Sequence, residues 1–141
     1  MGRNDFFDQI IHQGSVLRNP KLLLPNGKPT PKRFIILNKN PTDNLIHFIL
    51  ATSQFHYYNK SPQWVKDQFV LIPTGVLPLF PLKTLINCVE VHTRTRVRLK
   101  EIYQKRRLEK LGILPKQFLD KIIEIVAKSI FVEEEIKKTI L

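Results

Sequence analysis

The chain has 141 residues, a length that favours a single domain spanning 1–141 and can bury a core without staples. Its hydrophobic content of 43% excludes wholesale disorder, and its one cysteine, Cys88, excludes an intrachain disulfide framework. Twenty-three Lys and Arg against 12 Asp and Glu leave a net charge of +11, which points to a polyanionic partner: nucleic acid, an anionic membrane surface or an acidic protein. No Cys/His cluster has zinc spacing, the first residues lack a signal-peptide core, and no apolar run is long enough to span a bilayer, so a cytoplasmic protein is expected.

Residues 4–13, NDFFDQIIHQ, space Phe6, Phe7, Ile10 and Ile11 as one helical face after the N-cap residue Asn4, with Gly14 as the stop. A short strand over 15–17 follows. Residues 18–32 hold four prolines and Asn26-Gly27, and predict a loop with a tight turn. FIILN (34–38) and LIHFILAT (45–52) predict an antiparallel pair, the second apolar on both faces and therefore central. Residues 59–67 read as loop, with Trp64 in the core. Strands are predicted over 68–73 and 84–92, whereas 74–81 is broken by Pro78 and Pro81.

TRTRVRL (93–99) alternates, which as a strand would put Arg94, Arg96 and Arg98 on one face. A short helix through 100–111 would end at Gly112. Pro115 opens a convincing helix whose stripe is Phe118, Leu119, Ile122, Ile123 and Val126. A last amphipathic segment, VEEEIKKTIL, mixes its charge signs and so offers no basic face to a membrane. The sum is a mainly β protein with α: a small, partly closed antiparallel barrel, with an N-terminal helix and C-terminal amphipathic helices.

Polar residues gather at the strand ends. PKR lies just before the first core strand and TSQ just after the second, and an antiparallel pairing brings those ends together. Lys32 or Arg33 beside Thr52, Ser53 and Gln54 would make a phosphate pocket, with His56, Tyr57 and Tyr58 close by for base stacking. The alternative is that both ends simply exit to solvent. His56 is the best-placed titratable group for a general base. His47 is flanked by apolar residues and reads as a core histidine, while His12 and His92 carry no constellation. Cys88 reads as a small buried hydrophobe. The basic tract formed by Arg94, Arg96, Arg98, Lys100, Lys105, Arg106 and Arg107 would favour phosphate contact without sequence choice.

PKRFIILN followed by FILATSQ, then TLINCVEV, then LGILPKQFLDKIIEIVAKS, resembles in order the core of the MazF/PemK-like toxins. That resemblance covers residues 14–129. It implies an SH3-like barrel, usually dimeric, acting as an RNA endonuclease and inhibited by an acidic antitoxin. The family's basic residue matches Lys32 by strict count, with Arg33 beside it the better chemical match, and its Thr matches Thr52. The implied reaction needs no metal or other cofactor: an RNA 2′-hydroxyl attacks the adjacent phosphorus, Arg33 or Lys32 neutralises the developing charge, and Thr52 or Ser53 holds the phosphate. The other reading of the same charge is a basic barrel that binds nucleic acid or an acidic protein without cutting.

Overall fold

The structure is a computed structural model. It describes residues 3–23, 29–74, 80, 82–105 and 107–141, and of residues 3–5, 20–23 and 29–32 the backbone alone. The elements run α1 (Arg3–Ile10), β1 (Ser15–Leu23), β2 (Pro29–Ile36), β3 (Leu45–Thr52), α2 (His56–Lys60), α3 (Gln63–Lys66), β4 (Phe69–Ile72), β5 (Thr84–Thr95), α4 (Arg96–Gln104), β6 (Glu109–Ile113), α5 (Lys116–Lys128) and α6 (Glu134–Ile140).

The six strands form one antiparallel sheet, ordered β4-β5-β3-β2-β1-β6 and curled into a half-barrel. β3 lies inside it between β2 and β5, which is why both its faces are apolar. Side chains alternate across the pleat and divide the core in two. Ile35, Leu37, Ile49, Ala51, Val70 and Ile86 face the stripe of α5, where Phe118, Ile122 and Val126 are buried. Phe34, Ile36, Ile46 and Phe48 face the other way, against Phe7 and Ile11 of the N-terminal segment and Leu99 of α4. Gly14 ends the first segment at φ 89, and its missing Cβ leaves room for Leu119, whose Cδ2 would otherwise lie 2.9 Å away.

Three expectations need correction. The proline-rich stretch is largely strand: β1 runs to Leu23 and β2 starts at Pro29, because β1 pairs with β2 on one side and β6 on the other and a register shift between Asn19 and Leu22 accommodates the irregularity. The Asn26-Gly27 turn lies outside the described residues. Arg96 and Arg98 are helical, since the Thr95 hydroxyl accepts the Arg98 N–H at 3.1 Å and caps α4. Helical geometry then separates Arg96 from Arg98 around the axis instead of aligning them. Residues 109–111, expected in the helix that Gly112 would end, belong instead to strand β6 on β1, with Gly112 opposite Val16.

Candidate nucleic-acid interface

β3 ends at Thr52, opposite Leu85 of β5. The Thr52 hydroxyl accepts the Gln54 N–H at 3.1 Å, which turns the chain out of the sheet and into α2. Tyr58 is then held edge-on to Phe55 at 6.0 Å and to Phe69 at 5.4 Å, with the Lys66 ammonium 5.4 Å from its ring. Tyr57, the next residue back on this short helix, stays 67% exposed.

Between these groups and β5 lies an open cleft of about 400 Å³, lined by Thr52, Gln54, Tyr57, Tyr58, Phe69, Leu85, Asn87 and Glu90. That volume falls in the range of about 300–1,000 Å³ usual for small-ligand sites. A bulge in β5 supplies two of the polar lining groups. Ile49 of β3 pairs with Val91, yet Ala51, two residues on, pairs with Ile86, so four residues of β5, 87–90, stand against one of β3, while Asn87 keeps its pairing with Phe69 of β4 on the other side.

Inside the bulge, the Val89 N–H donates to Asn87 Oδ1 at 3.2 Å, and Asn87 Nδ2 donates to Glu90 Oε2 at 3.4 Å. The other carboxylate oxygen lies 3.5 Å from His92 Nε2. The His92 contact holds the Glu90 carboxyl below its usual range, against an opposing push from burial. The His92 ring stacks on Phe48 at 5.7 Å and 18°.

The predicted site residues are not all brought to one place. Thr52, Gln54, Tyr57 and Tyr58 share the cleft. Ser53 and His56 are exposed beside it and are not among its lining residues. Arg33 pairs with Ala51 and Arg18, so alternation puts it on the α5 face of the sheet, opposite to the Thr52 face. Its Nε is buried and hydrogen-bonded to nothing among the described residues. Position 32 is the next step along β2, opposite Asn19 of β1; the Lys32 side chain lies outside the described residues.

The basic tract is divided. At ~3.3 Å per residue, Leu45 and Thr52 are about 23 Å apart, and the tract begins at the Leu45 end, where Leu45 pairs with Thr95 and Ile46 with Arg94. Arg94 donates to the Thr93 carbonyl at 2.8 Å and sits 5.9 Å from the Phe48 ring. Arg96 is a structural latch: it pairs with Asp8, donates to the Pro41 carbonyl at 3.0 Å and covers the Phe7 ring at 5.3 Å. Arg98 pairs with Glu101 at 3.2 Å on the exposed side of α4. Lys105 and Arg107 are exposed, and Arg106 lies outside the described residues.

His47 and Cys88 are buried. Burial depresses His47 despite the nearby Asp43 carboxylate, and pushes the Cys88 thiol up to about 12, far from a reactive thiolate. Trp64, read as core, is instead 62% exposed. It lines a smaller groove of about 180 Å³ with Tyr57, Phe69, Val89 and Phe131, because α3 stands outside the sheet.

The groups that sequence reasoning missed are Asn87, Glu90 and, on the far face, Arg18 opposite Arg33. Regular alternation would set Asn87 and Glu90 on opposite faces, so only an interrupted alternation within the apolar run LINCVEV could have signalled the pair.

No protein-family model matches the sequence, and no curated protein matches it. Solved structures do. Two crystal forms of MazE-MazF from Deinococcus radiodurans, Form-III and Form-II, each match over 88% of this chain. The matches cover 99% and 98% of those chains, with TM-scores of 0.57 and 0.55 and 12% identity in both cases. At that identity the likeness is one of fold. The six-stranded half-barrel with its flanking helices is a MazF-like fold.

Proposed function

We propose that this chain is the toxin of a type II toxin–antitoxin system, a homodimeric endoribonuclease that cuts single-stranded RNA and is held in check by an acidic antitoxin. The observation that carries the reading is the cleft at the end of β3, where a threonine hydroxyl, amides, the exposed Tyr57 ring and the half-buried Tyr58 ring converge on a MazF-like fold of net charge +11. Aromatic faces suit unpaired bases, and a cationic surface draws in their backbone. The 2′-hydroxyl attacks the adjacent phosphorus and loses its proton, the 5′-oxygen departs and gains one, and a 2′,3′-cyclic phosphate remains. The nucleophile is the substrate's own, so no metal is needed.

Thr52 holds the scissile phosphate, and its free lone pair and proton remain available after the Gln54 contact. Lys32, whose side chain lies outside the described residues, is the family-matched cation for the developing charge. Arg33 adds a longer-range positive potential through the sheet, and His56 at the rim of the cleft takes the proton.

Incubation of the chain with single-stranded RNA should yield cyclic-phosphate ends. A 2′-deoxy sugar at the cut site should abolish cleavage there, and Thr52→Ala should slow it by about 10²-fold, the scale of losing one well-aimed contact to a developing oxyanion. RNA left intact by the wild-type chain would defeat the enzymatic reading.

The placement of Arg33 on the opposite face from Thr52 favours one alternative, a barrel that binds RNA or an acidic protein without cutting it. That alternative predicts steeply salt-dependent binding and no products.

A further inference from the structure

We infer that Asn87 and Glu90 read a base edge in the cleft, and that guanine is the base they fit. The inference rests on the RNA-binding reading above and adds to it the identity of the base.

A carboxylate is an odd lining for a site that must accept phosphates. Glu90 is one of only 12 acids on a chain of net charge +11, and it stands on the cleft wall with its side chain 64% exposed. At neutral pH it is ionised, its pKa lying below the usual carboxylate range beside His92. An ionised carboxylate only accepts hydrogen bonds, and it repels phosphate, so its ligand must offer N–H groups. Its neighbour is oriented in a complementary sense. The Val89 N–H occupies Asn87 Oδ1, so the amide nitrogen is turned towards Glu90 with a second hydrogen to give. The bulge thus presents a donor and a double acceptor side by side.

The guanine edge is the matching pattern: O6 accepts, while N1–H and the 2-amino group both donate. Adenine and cytosine each offer one amino group to the carboxylate. Uracil offers one N–H between two carbonyls, so one of its oxygens would face the negative charge. Tyr57, 67% exposed at the cleft mouth, is a free ring on which the base can stack. Leu85 and Phe69 supply the apolar surface beside it.

The test uses uncleavable single-stranded probes: 2′-O-methyl oligouridines carrying one central G, A, C or U, with affinity read by fluorescence anisotropy at fixed salt. The wild-type chain should bind the G probe at least about tenfold more tightly than the U probe, the scale of one bidentate base contact. Glu90→Gln should collapse that ratio, weakening the G probe most and the U probe least, since only guanine offers the carboxylate two N–H groups. A purely structural role for Glu90 would weaken all four probes alike, which would overturn the assignment. Glu90→Asp, checked for native folding by circular dichroism, should keep part of the preference.

Equal wild-type affinity for the four probes, or a G preference that survives Glu90→Gln, overturns the inference and leaves RNA binding standing. Failure to bind any probe removes the reading beneath it as well.

Discussion

The two ends of β3 use the same kinds of polar residue for opposite purposes. At the Leu45 end the polar groups are buried or half-buried and already paired with one another. Asn38, fully buried, accepts the His47 N–H at 2.6 Å and donates to the Leu45 carbonyl and the Asp43 carboxylate, each at 2.9 Å. His47 Nδ1 lies 2.8 Å from the Thr93 hydroxyl, and Arg96 locks α4 to α1 through Asp8. At the Thr52 end the threonine, Gln54, Asn87 and Glu90 line an open cleft and keep unused hydrogen-bonding capacity. A satisfied polar network specifies structure, and an incompletely satisfied one at the surface is ready for a ligand.

If this contrast is right, substitutions at the two ends should have opposite signatures. The largest effect on stability should come from Asn38→Ala, which leaves the His47 N–H buried without its partner and removes the bonds to the Leu45 carbonyl and the Asp43 carboxylate. A loss of about 2–4 kcal/mol is expected in urea unfolding, with cleft binding intact in the folded fraction. Thr52→Ala, by contrast, should change stability by less than about 1 kcal/mol while slowing cleavage. If the two variants lost stability equally, the division between the ends would fail.

A smaller effect is expected from pH. His47 has its folded-state pKa lowered from 6.5, so the unfolded chain takes up a proton before the folded one does. Its contribution is fully present above about pH 6.5, the unfolded value, and is lost as pH falls towards the depressed folded value. Stability followed from pH 7.5 to 5 should therefore decline, and the decline should be shallower in His47→Gln. The smallest effect is expected from Arg98→Ala. Its pair with Glu101 is exposed on both sides, so unfolding should shift by no more than about 0.5 kcal/mol.

Legibility in the sequence followed the kind of signal. The β2–β3 hairpin was readable as two short, near-continuous apolar runs bounded by turn residues, and α5 by its 3.6-residue period. The strand character of residues 18–23 and 29–32 was hidden, because prolines and an interrupted alternation look like loop until β6 and β2 are present to pair with β1. The split at Arg96 depended on a single capping hydroxyl, Thr95, inside a pattern that also fits a strand. Trp64 was misread because an aromatic residue among polar neighbours does not reveal whether its helix docks on the sheet or stands off it.

That Thr52, Gln54, Tyr57 and Tyr58 gather around one cleft was legible from a strand that stops abruptly on polar and aromatic residues. The Arg33 partnership was not, because a cation and a hydroxyl can occupy neighbouring strand ends and still face opposite ways. Apolar runs and periods along the chain determined, without further help, that β2 and β3 pair as two-sided core strands and that α5 covers one face, and the charge count determined that the surface is strongly cationic. Those features are local, set by side-chain periodicity and charge count. Tertiary pairing alone decided which polar groups meet. Asn87 and Glu90, three residues apart, share one cleft because β5 must loop out residues to stay paired with β3, and no local preference encodes a register set by two strands at once.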